Sequence, residues 1–177
     1  MMDFLELAQK RQSCRSYANS PVEIEKLEKI LEAARLSPSA CNSQPWKFYA
    51  VTHPEKCAEV ALATQEDGLN KFTSQCLAFI VITEETALLI AKGGKKPNQK
   101  WAKFDLGIAT ICACLQAEEL GLGTCIMGSY NSDKIKQILG IAGDSPVAIV
   151  IAVGYPASPE LRTKKRKALG EVATFIE

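Results

Sequence analysis

The sequence predicts a layered domain of helices packed on a sheet, and three observations predict it. Cys76 to Ile82 and Val147 to Val153 are uninterrupted apolar runs of strand length. Runs without alternation belong to strands covered on both faces, so these two take central positions with helices on each side. Ser20-Pro21-Val22-Glu23 has the spacing of a capping box with proline at the first helical position, and Ile24, Leu27, Ile30, Leu31 and Ala34 then form one apolar face. Asp105 to Leu120 is apolar around nearly its whole circumference and must be covered on nearly all sides. That helix reads as a homodimer seam or as an ordinary central core helix, and the sequence leaves both open.

The remaining elements follow in chain order. Residues 3 to 10 form a short helix with Phe4, Leu5, Leu7 and Ala8 apolar. A loop from Ser37 to Pro45 precedes Trp46 to Val51, whose aromatic and β-branched residues favour a strand. A helix from Pro54 to Ala63 has proline at its first position and Thr52 as its cap. Lys92 to Lys100, rich in Gly, Lys, Pro and Asn, reads as a mobile lid or a disordered segment. Gly121 to Gly128 contains glycines that let the chain turn out of a helix or pass close to a flat ligand. A short helix from Ser132 to Leu139 ends at Gly140 as its C-cap. No internal repeat appears, so 1–177 reads as a single domain.

Composition narrows the chemistry. The chain has 177 residues, 47% hydrophobic and 23% charged, with 21 Lys+Arg against 20 Asp+Glu and a formal net charge of +1. Such a chain can bury roughly 70% of the surface its unfolded form exposes, enough for a core without metal or disulfide staples. Near-zero net charge gives no global attraction to nucleic acid or an anionic membrane, so any anion must meet a local basic cluster. The apolar runs are too short to span a bilayer. The one histidine, His53, lies in a helix-entry sequence and reads as exposed, which leaves His-rich zinc sites and His-centred triads without support. Seven cysteines at irregular spacings, no Cys-x-x-Cys and no apolar leader after Met-Met-Asp suggest reduced thiols in a cytoplasmic protein, with no metal site.

Three polar segments could hold an anion. In Arg11-Gln12-Ser13-Cys14-Arg15, residues 11, 13 and 15 alternate, so an extended chain would project two guanidiniums and a hydroxyl to one side, a set suited to phosphate. A solvated turn is the competing reading. Lys164-Lys165-Arg166-Lys167 is a basic run, which on its own fits a solvated tail. Gly121-Leu122-Gly123-Thr124 lacks the dinucleotide fingerprint spacing and follows a helix where that fingerprint must follow a strand.

Together these segments resemble the FMN-dependent nitroreductase-like flavoproteins. The resemblance rests on Arg11 to Tyr17, Ala33 to Trp46, Asp105 to Ala109, Gly121 to Cys125, Gly154-Tyr155-Pro156 and Lys164 to Lys167, in family order along nearly the whole chain. It implies an α+β three-layer fold with a central, mostly antiparallel sheet flanked by helices, working as an intertwined homodimer with FMN at the interface. Carried over by position, Arg11, Ser13 and Arg15 would line the site from one side, Arg11 and Ser13 toward the phosphate and Arg15 toward the flavin pyrimidine edge, with Gln12 among the cofactor-binding residues. Lys164 and Arg166 resemble further phosphate ligands. Pro38, Ser39, Asn42 and Gln44 resemble a loop lent by the partner subunit, and Ile126, Met127 and Gly128 a segment whose backbone passes the reactive ring.

The activity implied by the resemblance is reduction of nitroaromatics, quinones or similar electron-poor acceptors by NADH or NADPH in a ping-pong cycle, with no catalytic side chain because the chemistry lies on FMN. Other readings in the same fold are enoate reduction, dehydrogenation, dehalogenation or flavin binding without turnover. A thiol sensor ranks below these for want of a resolving pair. Larger members carry an acidic residue where this chain has Met127, and the chain lacks the helical insertions that shape their acceptor pocket.

Overall fold

Two strands organise the molecule in this computed structural model, which describes residues 3–66 and 68–177; Met1, Met2 and Asp67 lie outside them. β2 (Ala78–Glu84) and β6 (Val147–Gly154) pair antiparallel at the centre of a four-stranded sheet. β1 (Trp46–Val51) flanks β2 and β5 (Gly123–Met127) flanks β6, both antiparallel, giving the order β1-β2-β6-β5. Because side chains alternate across a strand, Phe79, Val81, Val150 and Ala152 fall on one face and Ile80, Ile82, Ile151 and Val153 on the other.

Helices cover both faces. The first packs against Cys57, Val60 and Ala61 of α3 (Pro54–Ala63) and Ile135 of α5 (Ser132–Leu139). The second packs against Leu27, Ile30 and Ala34 of α2 (Ile24–Arg35) and Leu106, Ala109, Ala113 and Ala117 of α4 (Ala102–Glu119). Fully burying one large aliphatic or aromatic side chain contributes about 1.5–3 kcal/mol. The expected layers and the expected central strands are therefore present. The remaining helices are α1 (Phe4–Lys10), which contacts α4, and the short α6 (Leu169–Val172).

Several local expectations need correction. No capping box opens α2, which starts at Ile24 after an extended Glu23, with no side chain capping it. The Glu23 carboxylate instead accepts the Tyr155 hydroxyl at 2.7 and 2.8 Å, a long-range partner invisible in local spacing. His53, and not Thr52, occupies the cap position of α3, again with no side-chain cap bond. The strand expected from Cys76 begins at Ala78, because Cys76 follows a 3₁₀ turn over Lys71–Gln75. The 92–100 segment, expected as a lid or a disordered stretch, supplies the turn and second strand of a hairpin, β3 (Leu88–Ala91) with β4 (Gly94–Pro97). α5 behaves as expected, with Asn131 Oδ1 accepting from Lys134 N at 2.9 Å and Gly140 left-handed at its end.

Gly123 and Gly154 are cross-strand partners at the end of the sheet, and each meets the N-terminal segment. A Cβ on Gly123 would lie 2.7 Å from Cys14 Cβ, and one on Gly154 would lie 2.8 Å from the Tyr17 ring. The bare backbone lets residues 13–17 cross the strand ends, where Ser13 bridges Thr124 and Tyr17 bridges Pro156. Tyr17 is buried there, its hydroxyl donating to Cys14 O at 3.0 Å. Burial above all, with the neighbouring thiols, pushes its pKa far above the usual phenol value.

Helix α4 is core on one side only. Ala102, Leu106, Ala109, Ala113 and Ala117 are buried, whereas Phe104, Ile108 and Ile111 are 65, 38 and 37% exposed at helical spacing. No helix among the described residues is long and apolar enough to cross a membrane.

Gly123→Ala is expected to cost about 1–3 kcal/mol through the clash with Cys14, read as a lower denaturant midpoint with an unchanged slope. Burial also pushes the Cys57 thiol up to about 11 and, helped by nearby thiols, that of Cys76 up to about 12. Both thiols should resist a disulfide reagent near neutral pH until the chain unfolds. Since the native state holds these protons more tightly than the unfolded state, whose thiols titrate at about 8.5, their contribution to stability is full below that value. It falls as pH rises toward the native values, a loss measurable as a midpoint that declines in alkaline buffer.

Candidate functional site

Residues 11–15 leave α1 as an extended segment beside the edge of β5. Cys14 N donates to Thr124 O at 2.8 Å, and the parallel bridge from Ser13 to Thr124 fixes the direction. Arg15 and Ile126 are the next residues of like phase along these two parallel chains, and both are exposed. Cys14 is buried, whereas Ser13 and Arg15 on either side of it are not.

The C-terminal chain returns to the same place. After Gly154 it runs without regular structure to residue 168, and Gln12 ties it down. The Gln12 amide donates from Nε2 to Glu160 O at 2.9 Å and accepts at Oε1 from Arg162 N at 3.1 Å and Arg162 Nε at 3.3 Å. One side chain thereby supplies the donor and acceptor that a neighbouring strand would present. Arg162 completes the link by donating to Ser13 O. Two residues on, Lys164 Nζ donates to Ala8 O at 3.0 Å and to Gln9 O, in the last turn of α1 where backbone carbonyls lack helical partners.

These ties assemble a cleft of about 380 Å³ lined by Arg11, Gln12, Ser13, Arg15, Arg162, Thr163, Lys164, Lys165 and Arg166. Six of the nine are cationic, and none is acidic. Partial burial first, and then the like charges of Arg11 and Arg166, hold the Lys164 pKa below the usual lysine value. Glu118, on the cleft next door, is pushed above the usual carboxylate value by burial against the opposing pull of Lys164 and Arg11. Cations crowded to that extent, with hydroxyls from Ser13 and Thr163, match a phosphate dianion, which takes several charge-assisted hydrogen bonds at once.

Of the residues expected from sequence, Arg11, Gln12, Ser13, Arg15, Lys164 and Arg166 share this cleft. Gln12 spends both polar atoms on the C-terminal chain. Sequence reasoning misses Arg162 and Thr163 and names Lys165 only within the basic run, although Arg162, Lys164 and Arg166 keep the same spacing as Arg11, Ser13 and Arg15. Ile126, Met127 and Gly128 end β5 and start the chain beyond it; the Met127 side chain is buried in the core, while Gly128 is exposed. Asn70, left-handed, donates to Thr64 O and Ser129 O at 3.1 Å each and so pins the chain just after Gly128, a role that no motif announced.

Pro38, Ser39, Asn42 and Gln44 lie elsewhere on the chain and line neither of these two clefts. Their turn is held by Asp105 of α4, a buried carboxylate that accepts Ala40 N at 3.1 and 3.2 Å. Cys41, Asn42 and Gln44 all adopt positive φ, between 50 and 54°. Such conformations are costly for residues with a Cβ and persist where surroundings impose them. Ser39 Oγ accepts Gln44 N at 2.9 Å, and Gln44 Nε2 donates to Asn42 Oδ1 at 3.1 Å. Among the described residues, no group of His, Cys, Asp and Glu could hold a metal ion.

Comparison with known proteins identifies the family and the fold. The family model described as the Nitroreductase family matches residues 8–155. A protein of Archaeoglobus fulgidus, named for NADH dehydrogenase and NAD(P)H nitroreductase, is 31% identical over 88% of this chain and 87% of its own. The oxygen-insensitive NADPH nitroreductase of Helicobacter acinonychis is 26% identical over 97% and 95%. Among solved structures, an FMN-dependent nitroreductase of Clostridium difficile superposes with a TM-score of 0.79 at 27% identity, covering 97% of this chain and 98% of that one.

Removing the Gln12 rung by Gln12→Ala should loosen residues 160–166 without unfolding the core. An exposed hydrogen-bonded link of about 1 kcal/mol corresponds to roughly fivefold more opening. Tryptic cleavage at Arg162 to Lys167 should accelerate by that factor while the global denaturant midpoint stays put.

Proposed function

Because the chain belongs to the Nitroreductase family, we propose that it is an FMN-dependent NAD(P)H oxidoreductase that reduces nitroaromatics, quinones or similar electron-poor acceptors in a ping-pong cycle. The observation that carries this reading is the cationic cleft built from two separated segments, 11–15 and 162–166. FMN held in this cleft would supply the two-electron hydride chemistry that links a nicotinamide donor to the acceptor.

The chain's own part is binding and orientation. Arg11, Ser13, Lys164 and Arg166 hold the phosphate, joined by Arg162 and Lys165. Gln12 acts by keeping the C-terminal chain against Ser13. Arg15, farther along the β5 edge, offers its guanidinium to the pyrimidine edge of the ring, where a fixed positive charge favours the reduced flavin. Ile126, Met127 and Gly128 present their main chain to the ring, since the Met127 thioether is packed in the core. Hydride transfer between stacked rings asks for position and exclusion of water more than for a protein acid or base. A single histidine, exposed at a helix start, fits that requirement.

The second wall of the site, Pro38, Ser39, Asn42 and Gln44, comes from the partner in a homodimer. The open strip of Phe104, Ile108 and Ile111 on α4, with Phe4 and Leu5 exposed on α1, supplies apolar surface for that assembly. Asp105 is on the same helix as the strip and holds the turn, so dimer formation and placement of the second wall are mechanically linked.

The purified protein should be yellow, bleach anaerobically with NADH or NADPH, and reoxidise with a nitro or quinone acceptor. Parallel double-reciprocal lines would identify the ping-pong order, and a colourless protein that cannot be loaded with FMN would refute the reading. Arg11→Ala or Arg166→Ala should weaken FMN binding about ten- to a hundredfold, as expected for one charge-assisted contact, with the denaturant midpoint of the flavin-free protein unchanged.

A further inference from the structure

The β3–β4 hairpin stands on the turn that carries Ser39, Asn42 and Gln44. The outer edge of β3 donates into that turn, from Leu88 N to Ser43 Oγ at 2.6 Å and from Ile90 N to Cys41 Sγ at 3.5 Å. Lys95 Nζ reaches back from β4 to Cys41 O at 3.1 Å. At the base, Gln99 Oε1 accepts Ala87 N at 2.5 Å, while Nε2 donates to Glu84 Oε1 and Glu85 O at 2.9 and 3.0 Å. The hairpin is thus fastened at both ends.

Its two faces differ. Register pairs Leu88 with Pro97 and Ile90 with Lys95, and paired residues share a face. One face therefore carries Leu88, Ile90 and Pro97 with Lys95, and the opposite face carries Leu89 with Lys96. Leu88 and Ile90 are 41 and 75% exposed. Residues 86–104 contain Lys92, Lys95, Lys96, Lys100 and Lys103 and no Asp or Glu. None of these lysines forms an ion pair among the described residues. Lys96 and Pro97 fit the usual protection of an edge strand against further pairing. Lys95 does more, because its ammonium sits at the turn, beside an open apolar strip, with N–H donors left over after its bond to Cys41 O.

We propose that this hairpin is a wall of the acceptor site and selects a flat apolar electron acceptor bearing an anionic group, the Leu88–Ile90–Pro97 strip covering the ring and Lys95 receiving the anion. The proposal rests on the reading of the 38–44 turn as flavin-facing. Apolar contact gives affinity for the ring at about 25 cal/mol per Å² of area removed from water. The ammonium adds discrimination for a carboxylate over a neutral group of the same shape.

Benzoate and benzamide, which have nearly the same shape and differ in charge, test this as non-reducible probes titrated into the FMN-loaded protein and followed by flavin absorbance. Benzoate should bind about tenfold tighter than benzamide, the size of one charge-assisted contact. Lys95→Gln should abolish the difference, Lys96→Gln should keep it, and added salt should reduce it. The same order should appear in kcat/KM for 4-nitrobenzoate against 4-nitrobenzamide. Equal binding of the two probes, or equal losses in both variants, would overturn the proposal. So would a Lys95→Gln defect confined to NADP⁺ relative to NAD⁺, which would assign the anion to the dinucleotide. A protein that takes up no FMN fails the underlying flavin reading, whereas one that loads FMN and binds both probes alike fails this proposal alone.

Discussion

The antiparallel pairing of β2 with β6 sets the conditions for everything else, because Phe79, Ile80, Val81, Ile82, Val150, Ile151, Ala152 and Val153 leave neither face able to meet water. A sheet of that kind needs a helical layer on each side. α2 with α4 and α3 with α5 are those layers. Where the sheet ends, the paired glycines Gly123 and Gly154 let a further chain cross the strand ends, and residues 13–17 do so. The position of the cationic cleft is a consequence. Arg11, Ser13 and Arg15 are carried to the β5 edge by backbone bonds to Thr124, and the C-terminal chain leaving β6 passes close enough for Gln12 to capture it.

Bringing six cations into one cleft works against their mutual repulsion, and the structure meets that cost with neutral ligands. Carbonyls of Ala8, Gln9 and Ser13 and the amide of Gln12 bind Lys164 and Arg162, where a carboxylate could have done so. A salt bridge would have cancelled the charge; a carbonyl fixes the position and leaves the charge for an anion. Burial first, and then the like charges of Arg11 and Arg166, hold the Lys164 pKa down there. Near neutrality of the whole chain is compatible with it, since the compensating acids lie on other surfaces such as the exposed side of α2.

α4 connects the two ends of the molecule's candidate chemistry. Its carboxyl half carries Glu118 beside the cationic cleft, and its amino half carries Asp105 under the strained turn of Cys41, Asn42 and Gln44. On the outer side of the same helix, Phe104, Ile108 and Ile111 stay open to solvent. The hairpin then stacks on the turn through Ser43 and Cys41, so its placement also depends on Asp105.

The sequence by itself determined which segments are buried and which carry charge. The unbroken apolar runs marked the central strands, and Pro54 and Gly140 marked helix ends, because hydrophobic period and backbone restriction are local properties. Tertiary structure decided what those segments meet. Ser20 looked like a cap until Tyr155, far along the chain, took Glu23. Lys164 to Lys167 looked the same as a solvated tail until Gln12 held it, and Arg162 joined the cleft only through Gln12 and Ser13. The lysine-rich 92–100 segment became a fastened hairpin through Gln99, Ser43 and Cys41. These are single hydrogen bonds, most of them between residues dozens of positions apart, made by polar side chains that carry no periodic signal, so only the folded chain selects among their partners.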